Sequence, residues 1–301
     1  MRIGIDIGGT KAAVALVEED GSIIAQQTIS TVGITESDPV ARDTVALAAD
    51  MLKAIGKTMD DVCFVGIGVP GTVDREKGVV INAPNMHWKD QPLAAQFEKY
   101  SGKYPLLAQD TRAAAWCEAR CRRDKQCVVC VTLGTGIGCG VVIHGRIWHG
   151  AMGTAGEIGH IPVVPGGRAC ACGRQGCMEA YASGTGIARS ARERGLAESS
   201  EEVFELAQQQ DERALALLDE ATSYAAMGIS AMLNVLSPDA LIFSGGLSRQ
   251  QTHYVEPLMK KIRSMAYAQA VGEEFYMGVS AFGNHAPILG AAFLDEAEGS
   301  R

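Results

Sequence analysis

Short apolar runs broken by glycine-rich turns dominate the first half of the chain, and longer helical stripes dominate the second. Ile3 to Ile7 alternates with small residues, and after Gly8-Gly9-Thr10-Lys11 a second apolar run, Ala12 to Val17, follows; this predicts a β-hairpin. Residues 39 to 56 read as a helix, and Val62 to Val69 as a strand that ends in Pro70-Gly71-Thr72. Pro105 to Gln109 is a short strand, and Asp110 stands before a helix from Thr111 to Arg122, where its simplest role is an N-cap. Gln126 to Leu133 and Val141 to Ile143 read as strands around Gly134-Thr135-Gly136-Ile137-Gly138-Cys139-Gly140. Ala180 to Gly195 reads as a helix, and Ser199-Ser200-Glu201-Glu202 holds a capping box that opens another. Leu215, Leu218, Ala221, Ala225, Ile229, Met232 and Leu236 recur at spacings of three and four, which predicts one long helix over 211–236 stopped by Pro238. A strand from Ala240 to Phe243, a helix over 253–268, a strand over 275–281 and a terminal helix over 286–297 complete the pattern.

The motif of strand, Gly/Thr turn and strand occurs twice, which suggests a duplicated α/β unit with one phosphate loop in each half. Glycines let the backbone approach an anion and offer N–H groups to it, and Thr10 adds a hydroxyl, although hairpin turns want glycine anyway. Asp6 lies inside an apolar strand, so its carboxylate needs a partner, and Mg2+ or its water shell is the natural one beside a phosphate loop. Asp110, at a strand end and in the field of a helix N-terminus, is kept ionised as a general base must be. The loop Asn82-Ala83-Pro84-Asn85-Met86-His87-Trp88 carries amides and an indole that could line a sugar pocket. Gly245 and Gly246, after a buried strand, permit close approach of a flat ring or a phosphate, or form a plain turn.

The most concentrated chemistry lies between Glu157 and Glu179. His160, Cys170, Cys172 and Cys177 are the number and type of ligand that a closed tetrahedral zinc site takes. Cys170 and Cys172 are too close in sequence for an unstrained disulfide. The flanking carboxylates Glu157 and Glu179 are poor additional ligands for a full site, and they are expected to face a polar substrate.

Composition narrows the class. With 301 residues, 47% of them hydrophobic, the chain can bury a full core and is expected to form two lobes. A net charge of -8 argues against a nucleic-acid partner, and no run of 18 apolar residues could span a membrane. Because the N-terminus enters a strand pattern at once, no signal peptide is expected, and the cytoplasm is the default location. Of nine cysteines, Cys63, Cys117, Cys121, Cys127, Cys130 and Cys139 are expected to be small core residues.

These pieces together resemble the ROK family of bacterial sugar kinases, within the actin-like ATPase (ribonuclease H-like) fold. The resemblance covers essentially the whole chain. It is carried by Asp6 to Lys11, Gly68-Val-Pro-Gly71, Ala83-Pro-Asn85 with Trp88, Asp110, Leu133 to Gly138, Glu157-Ile-Gly-His160, the cysteine set with Glu179, and Ser244-Gly-Gly246. It implies a duplicated two-lobe α/β fold with a zinc-bound loop. Residues 1–115 with 286–301 would hold the first phosphate loop and the sugar loops. Residues 116–285 would hold the second phosphate loop, the zinc segment and the adenosine loop.

It further implies that Gly71, Asn85, Gln109, Asp110, Glu157, His160 and Glu179 contact a hexose, with Asp110 as catalytic base. ATP and Mg2+ would meet Asp6, Gly8, Gly9, Thr10, Lys11, Gly134, Thr135, Gly136, Gly245 and Gly246. His160 would turn one ring nitrogen to zinc and the other to the sugar. The implied reaction is transfer of the γ-phosphate to the 6-hydroxyl of an aldohexose, glucose by default, in a homodimer or higher homo-oligomer. Allose, mannose, fructose and N-acetylmannosamine are alternative acceptors, and a sugar-sensing repressor without its DNA-binding module is a more distant one. Ala108-Gln-Asp-Thr-Arg112 departs from the family's usual Glu-Asn-Asp-Ala-Asn, with Gln109 in place of an asparagine that touches the sugar. Glu157 stands where N-acetylmannosamine kinases of the family often carry histidine, which argues for an unmodified hexose.

Overall fold

The computed structural model describes residues 1–298, and the chain divides into two compact units. The first comprises Met1–Asp124, Gly140–Ala155 and the C-terminal stretch from His285; the second comprises Lys125–Cys139 and Gly156–Asn284. Residues 116–124 and 140–155 thus group with the first unit, where the sequence reading had placed them in the second.

In the first unit β1 (Arg2–Ile7), β2 (Lys11–Val17), β3 (Ile23–Ser30), β4 (Phe64–Val69) and β8 (Leu106–Gln109) form a sheet in the order β3-β2-β1-β4-β8. β1 with β2 and β2 with β3 pair antiparallel, whereas β4 pairs parallel with β1 and β8 parallel with β4. α1 (Ser37–Ala54) and α2 (Leu93–Ser101) pack on each other and bury Val40, Leu52 and Phe97 against Ile3, Ile5, Leu16 and Ile67. In the chain between α1 and α2 comes a small antiparallel sheet of β5 (Thr72–Asp74), β6 (Val79–Ala83) and β7 (Trp88–Gln91), of which the sequence reading had only Asn82 to Trp88, as a loop. Trp88 belongs to this core, only 1% exposed, and its indole is a packing group and not the wall of a sugar pocket.

α3 (Asp110–Arg120) packs against α9 (Ala286–Ala292), and α10 (Leu294–Glu298) follows. α9 sits directly on β1 and β4, because a Cβ at Gly4 or Gly66 would collide with the carbonyls of Ile288 or Ala291. The Trp116 indole donates to the Phe293 carbonyl at 2.7 Å, and Arg2 pairs with Asp295 at 2.6 Å, so the C-terminal helices are tied to the first unit.

The second sheet repeats the plan of the first. β9 (Cys127–Leu133), β10 (Ile137–Ile143), β11 (Arg146–Ile147), β12 (Ala240–Ser244) and β13 (Tyr276–Val279) take the order β11-β10-β9-β12-β13. The division between the units falls inside β10, after Cys139. α4 (Glu179–Ala182) and α5 (Gly184–Glu193) replace the single helix expected from Ala180, because Ser183 is extended and its hydroxyl caps α5 by accepting from Gly186 N–H. α6 (Ser200–Gln208) opens as its capping motif predicts, with Ser199 accepting from Glu202 N–H. α7 (Glu212–Leu236) is the long helix expected, and α8 (Glu256–Met265) is preceded by a π-helical turn over Gln251–Val255.

Of the six cysteines expected in the core, Cys117, Cys130 and Cys139 are buried, Cys127 is half-buried, and Cys63 and Cys121 are exposed. The last two sit at the edges of the apolar runs, where the chain reaches the surface.

Candidate active site

In the first unit the hairpin β1–β2 turns through Gly8 to Thr10. Gly8 N–H is used within the turn, donating to the Lys11 carbonyl at 2.9 Å. Gly9 and Thr10 carry the N–H groups that take no hydrogen bond among the described residues. Thr31 fastens the turn from behind, with its hydroxyl donating to the Gly8 carbonyl at 2.6 Å and its N–H to the Thr10 carbonyl at 3.1 Å. Asn85, on a 3-10 turn over Pro84–Met86, brings its carbonyl within 3.1 Å of where a Gly9 Cβ would stand.

Asp6 and Asp110 are neighbours across Gly68. A Cβ built at Gly68 would lie 3.7 Å from Asp6 Oδ1 and 3.6 Å from Asp110 Cα, so position 68 borders both residues. Burial, reinforced by the charge of Asp110, pushes the Asp6 carboxyl up to about 7, and Lys11 only partly offsets this. A second carboxylate that raises the protonation of Asp6 is a poor neighbour in isolation and a good one around a cation.

Asp110 is the first residue of α3 and not its N-cap; Gln109 takes that position, and Asp110 Oδ1 accepts from Thr111 N–H at 2.7 Å. Gln109 ends β8 opposite Val69. Gly71 has a φ of +88°, and a side chain there would strike the Asn82 carbonyl, so it shapes the turn beside β6. Arg112, at 3% exposure, donates to the carbonyls of Gly153 and Ala155 at 2.8 and 3.0 Å. The departure from the usual residue at 112 therefore fastens the loop that leads into Glu157.

In the second unit, His160 Nδ1 lies 3.6 Å from Cys170 Sγ, and Cys172 Sγ lies 3.7 Å from Cys177 Sγ. The four ligand atoms all fall within 4.8 Å of one another. A tetrahedron with Zn–S bonds near 2.3 Å has S···S edges of about 3.8 Å, so the donor set fits zinc. The cysteines are free thiols. Burial and the neighbouring sulfurs push Cys177 up to about 12, a cost that a bound cation reverses. The segment packs few apolar side chains and is held by backbone bonds such as Cys170 N–H to Arg174 O at 2.8 Å. His160 Nε2 faces the other way, 3.9 Å from Glu157 Oε2.

The second glycine loop, Gly134 to Gly136, is gripped by the start of α5. Gly184 N–H donates to Gly134 O at 2.8 Å and Thr185 N–H to Thr135 O at 3.3 Å. Glu179 Oε2 accepts from Ile137 N–H at 2.8 Å. Gly245, with φ of +86°, backs onto the Leu133 carbonyl, where a Cβ would collide. Next to this loop opens a cavity of about 670 Å³ lined by Gly134, Thr135, Thr185, Phe204, Gly246 and Arg249. Sequence reasoning found its glycines but missed Thr185, Phe204 and Arg249; the Ser-Gly-Thr-Gly run at 183–186 was the available signal.

A mixed α/β chain whose two units each carry a strand, glycine loop and strand, with a Cys3His cluster in the second, defines a protein of the actin-like ATPase class. The model of the ROK family matches residues 2–298, and the chain belongs to that family. It is similar to the glucokinase of Thermotoga maritima, with 35% identity over 320 residues that span 97% of this chain and 96% of that one. It is similar as well to the N-acetylmannosamine kinase of Vibrio cholerae, with 32% identity over 297 residues, 97% of this chain and 98% of that one. Among solved structures it resembles a ROK family glucokinase from Streptomyces griseus in complex with glucose and AMPPNP, at a TM-score of 0.77 and 32% identity, covering 97% and 98% of the two chains. No described helix is long and apolar enough to cross a membrane.

Proposed function

We propose that the protein is an ATP-dependent hexose kinase that transfers the γ-phosphate to the 6-hydroxyl of an aldohexose, glucose first. The observation that carries this reading is the placement of Asp110 beside Asp6 at the edge of the first glycine loop. One carboxylate serves as base for the hydroxyl, and the other meets the positive charge that accompanies the nucleotide. Phosphoryl transfer rests mainly on positioning and charge neutralisation, which suits open N–H groups at Gly9, Thr10, Thr135 and Gly136. Mg2+, where bound, supplies positive charge to the phosphates, and Asp6 is the residue placed to hold it or its water. Asn85 and Gln109 in the first unit and Glu157, His160 and Glu179 in the second offer donors and acceptors to sugar hydroxyls.

Zinc, where bound by His160, Cys170, Cys172 and Cys177, supplies a fixed four-coordinate node and no redox chemistry. The geometry that supports a structural role is the divided imidazole, with Nδ1 at the thiols and Nε2 at Glu157. Glu157 also supports glucose, because a carboxylate that accepts from a hydroxyl stands where N-acetylmannosamine kinases of the family often carry histidine.

The test is a coupled ADP-release assay with glucose, mannose, allose, fructose and N-acetylmannosamine. Glucose is expected to give the highest kcat/KM. A preference for N-acetylmannosamine would overturn the sugar assignment and leave the kinase standing; ADP release with no sugar at all would overturn both.

A further inference from the structure

The second glycine loop and the cysteine segment meet at one residue, Ile137. Ile137 is the first residue of β10, directly after Gly134-Thr135-Gly136. Its N–H donates to Glu179 Oε2 at 2.8 Å. Its carbonyl lies against Gly159, where a Cβ would collide with that oxygen. Gly159 immediately precedes His160, and Glu179 follows Cys177 by two residues. Both ends of the segment that the four ligands close therefore contact Ile137, one at its N–H and the other at its carbonyl.

The contact on the carboxylate side is close. A Cβ on Gly136 would strike Glu179 Oε2, so the glycine is what lets the carboxylate reach the strand. Met178, between ligand and carboxylate, is fully buried and donates its N–H to the Ile161 carbonyl at 2.9 Å, which leaves this link little freedom. With Ile137 N–H occupied, the donors left to an anion are Thr135 and Gly136 N–H.

We propose that Glu179 is a positioning residue for the second phosphate loop, and that through it the Cys3His segment sets the affinity for the nucleotide. This deepens the kinase reading and rests on it. Glu179 then serves two ligands: Oε2 holds the loop, and Oε1, which takes no hydrogen bond among the described residues, remains for a sugar hydroxyl.

The test is calorimetric titration of the zinc-loaded, sugar-free protein with ADP. With no sugar present, a residue that touches only sugar leaves the ADP Kd unmoved. Glu179→Ala is expected to weaken ADP about tenfold, the scale of one charge-assisted hydrogen bond. Glu179→Gln is expected to stay within about threefold of wild type, because its amide oxygen can still accept from Ile137 N–H. Gly159→Ala, which displaces Ile137 at its carbonyl, is expected to weaken ADP as Glu179→Ala does, and circular dichroism checks that each variant is folded. Removing the metal from the wild-type protein with a chelator is expected to reproduce the loss of ADP affinity.

Wild-type ADP affinity in Glu179→Ala would overturn the proposal. So would tighter binding, which would make the carboxylate a competitor of phosphate. Unchanged affinity after metal removal would overturn the role given to the Cys3His segment. Failure of the unmodified protein to bind ADP would instead overturn the kinase reading, so the two failures are distinguishable.

Discussion

The two glycine loops are built alike and equipped differently. Each follows a central strand, β1 or β9, and each spends the first glycine N–H inside the turn, on Lys11 O in one and Gly136 O in the other. In the first unit Asp6 precedes the loop and sits opposite Gly68, with Asp110 beyond. In the second unit the matching place is held by Thr132, paired with Ser244 and bonded to its hydroxyl at 3.1 Å. The same frame thus carries charge on one side and a neutral hydroxyl pair on the other. The supports differ as well: one hydroxyl and one N–H of Thr31 hold the first loop, whereas a helix start and a carboxylate next to the Cys3His set hold the second. Chemistry is assigned to the first loop and nucleotide positioning to the second.

The largest effect is expected at Asp110. Asp110→Asn should keep the fold and lower kcat by about 100-fold or more, the usual cost of losing a general base, while the ADP Kd read by calorimetry stays near wild type. A loss of ADP affinity in place of kcat would erase the division between the loops.

Next is Cys172→Ser. Elemental analysis should find well below one equivalent of zinc, and ADP affinity should fall more than Thr31→Val lowers it, because the Cys3His segment is proposed to support the second loop.

A third effect concerns stability and has a sign. Asp6 has a folded pKa of about 7 against an ordinary value of 3.8, so its contribution is fully present below pH 3.8 and is lost as pH rises through 7. In ligand-free protein Asp6→Asn lacks this loss. The melting temperature of the variant relative to wild type should therefore climb between pH 4 and 8, by up to about 10 °C, since moving a carboxyl from 3.8 to about 7 corresponds to roughly 4 kcal/mol. No such climb is expected for Thr132→Val, whose site holds no carboxylate.

The smallest effect is that of Thr31→Val, which removes one hydrogen bond to Gly8 O. It should cost about 1 kcal/mol in denaturant unfolding.

What was legible in the sequence was whatever repeats or clusters. The strand and glycine-loop pairs, the apolar stripe of α7 and the ligand set at 160–177 could all be read from spacing. The small sheet over 72–91 could not, because its strands have three to five residues and are interrupted by Pro84 and Asn85. Trp88 looked like a pocket residue because it sits among amides, yet its ring is carried into the core by β7. Asp110 looked like an N-cap because a carboxylate before a helix commonly is one; its backbone has already turned helical. Glu179 was read as a sugar ligand, and its bond to Ile137 across 42 residues of chain leaves no local trace.

The central claim, phosphoryl transfer to a 6-hydroxyl, is tested most directly by ADP release with glucose against 6-deoxyglucose in the zinc-loaded protein. Release with glucose, and none above background with the deoxy sugar, is the predicted result. Equal release with the two sugars would contradict it.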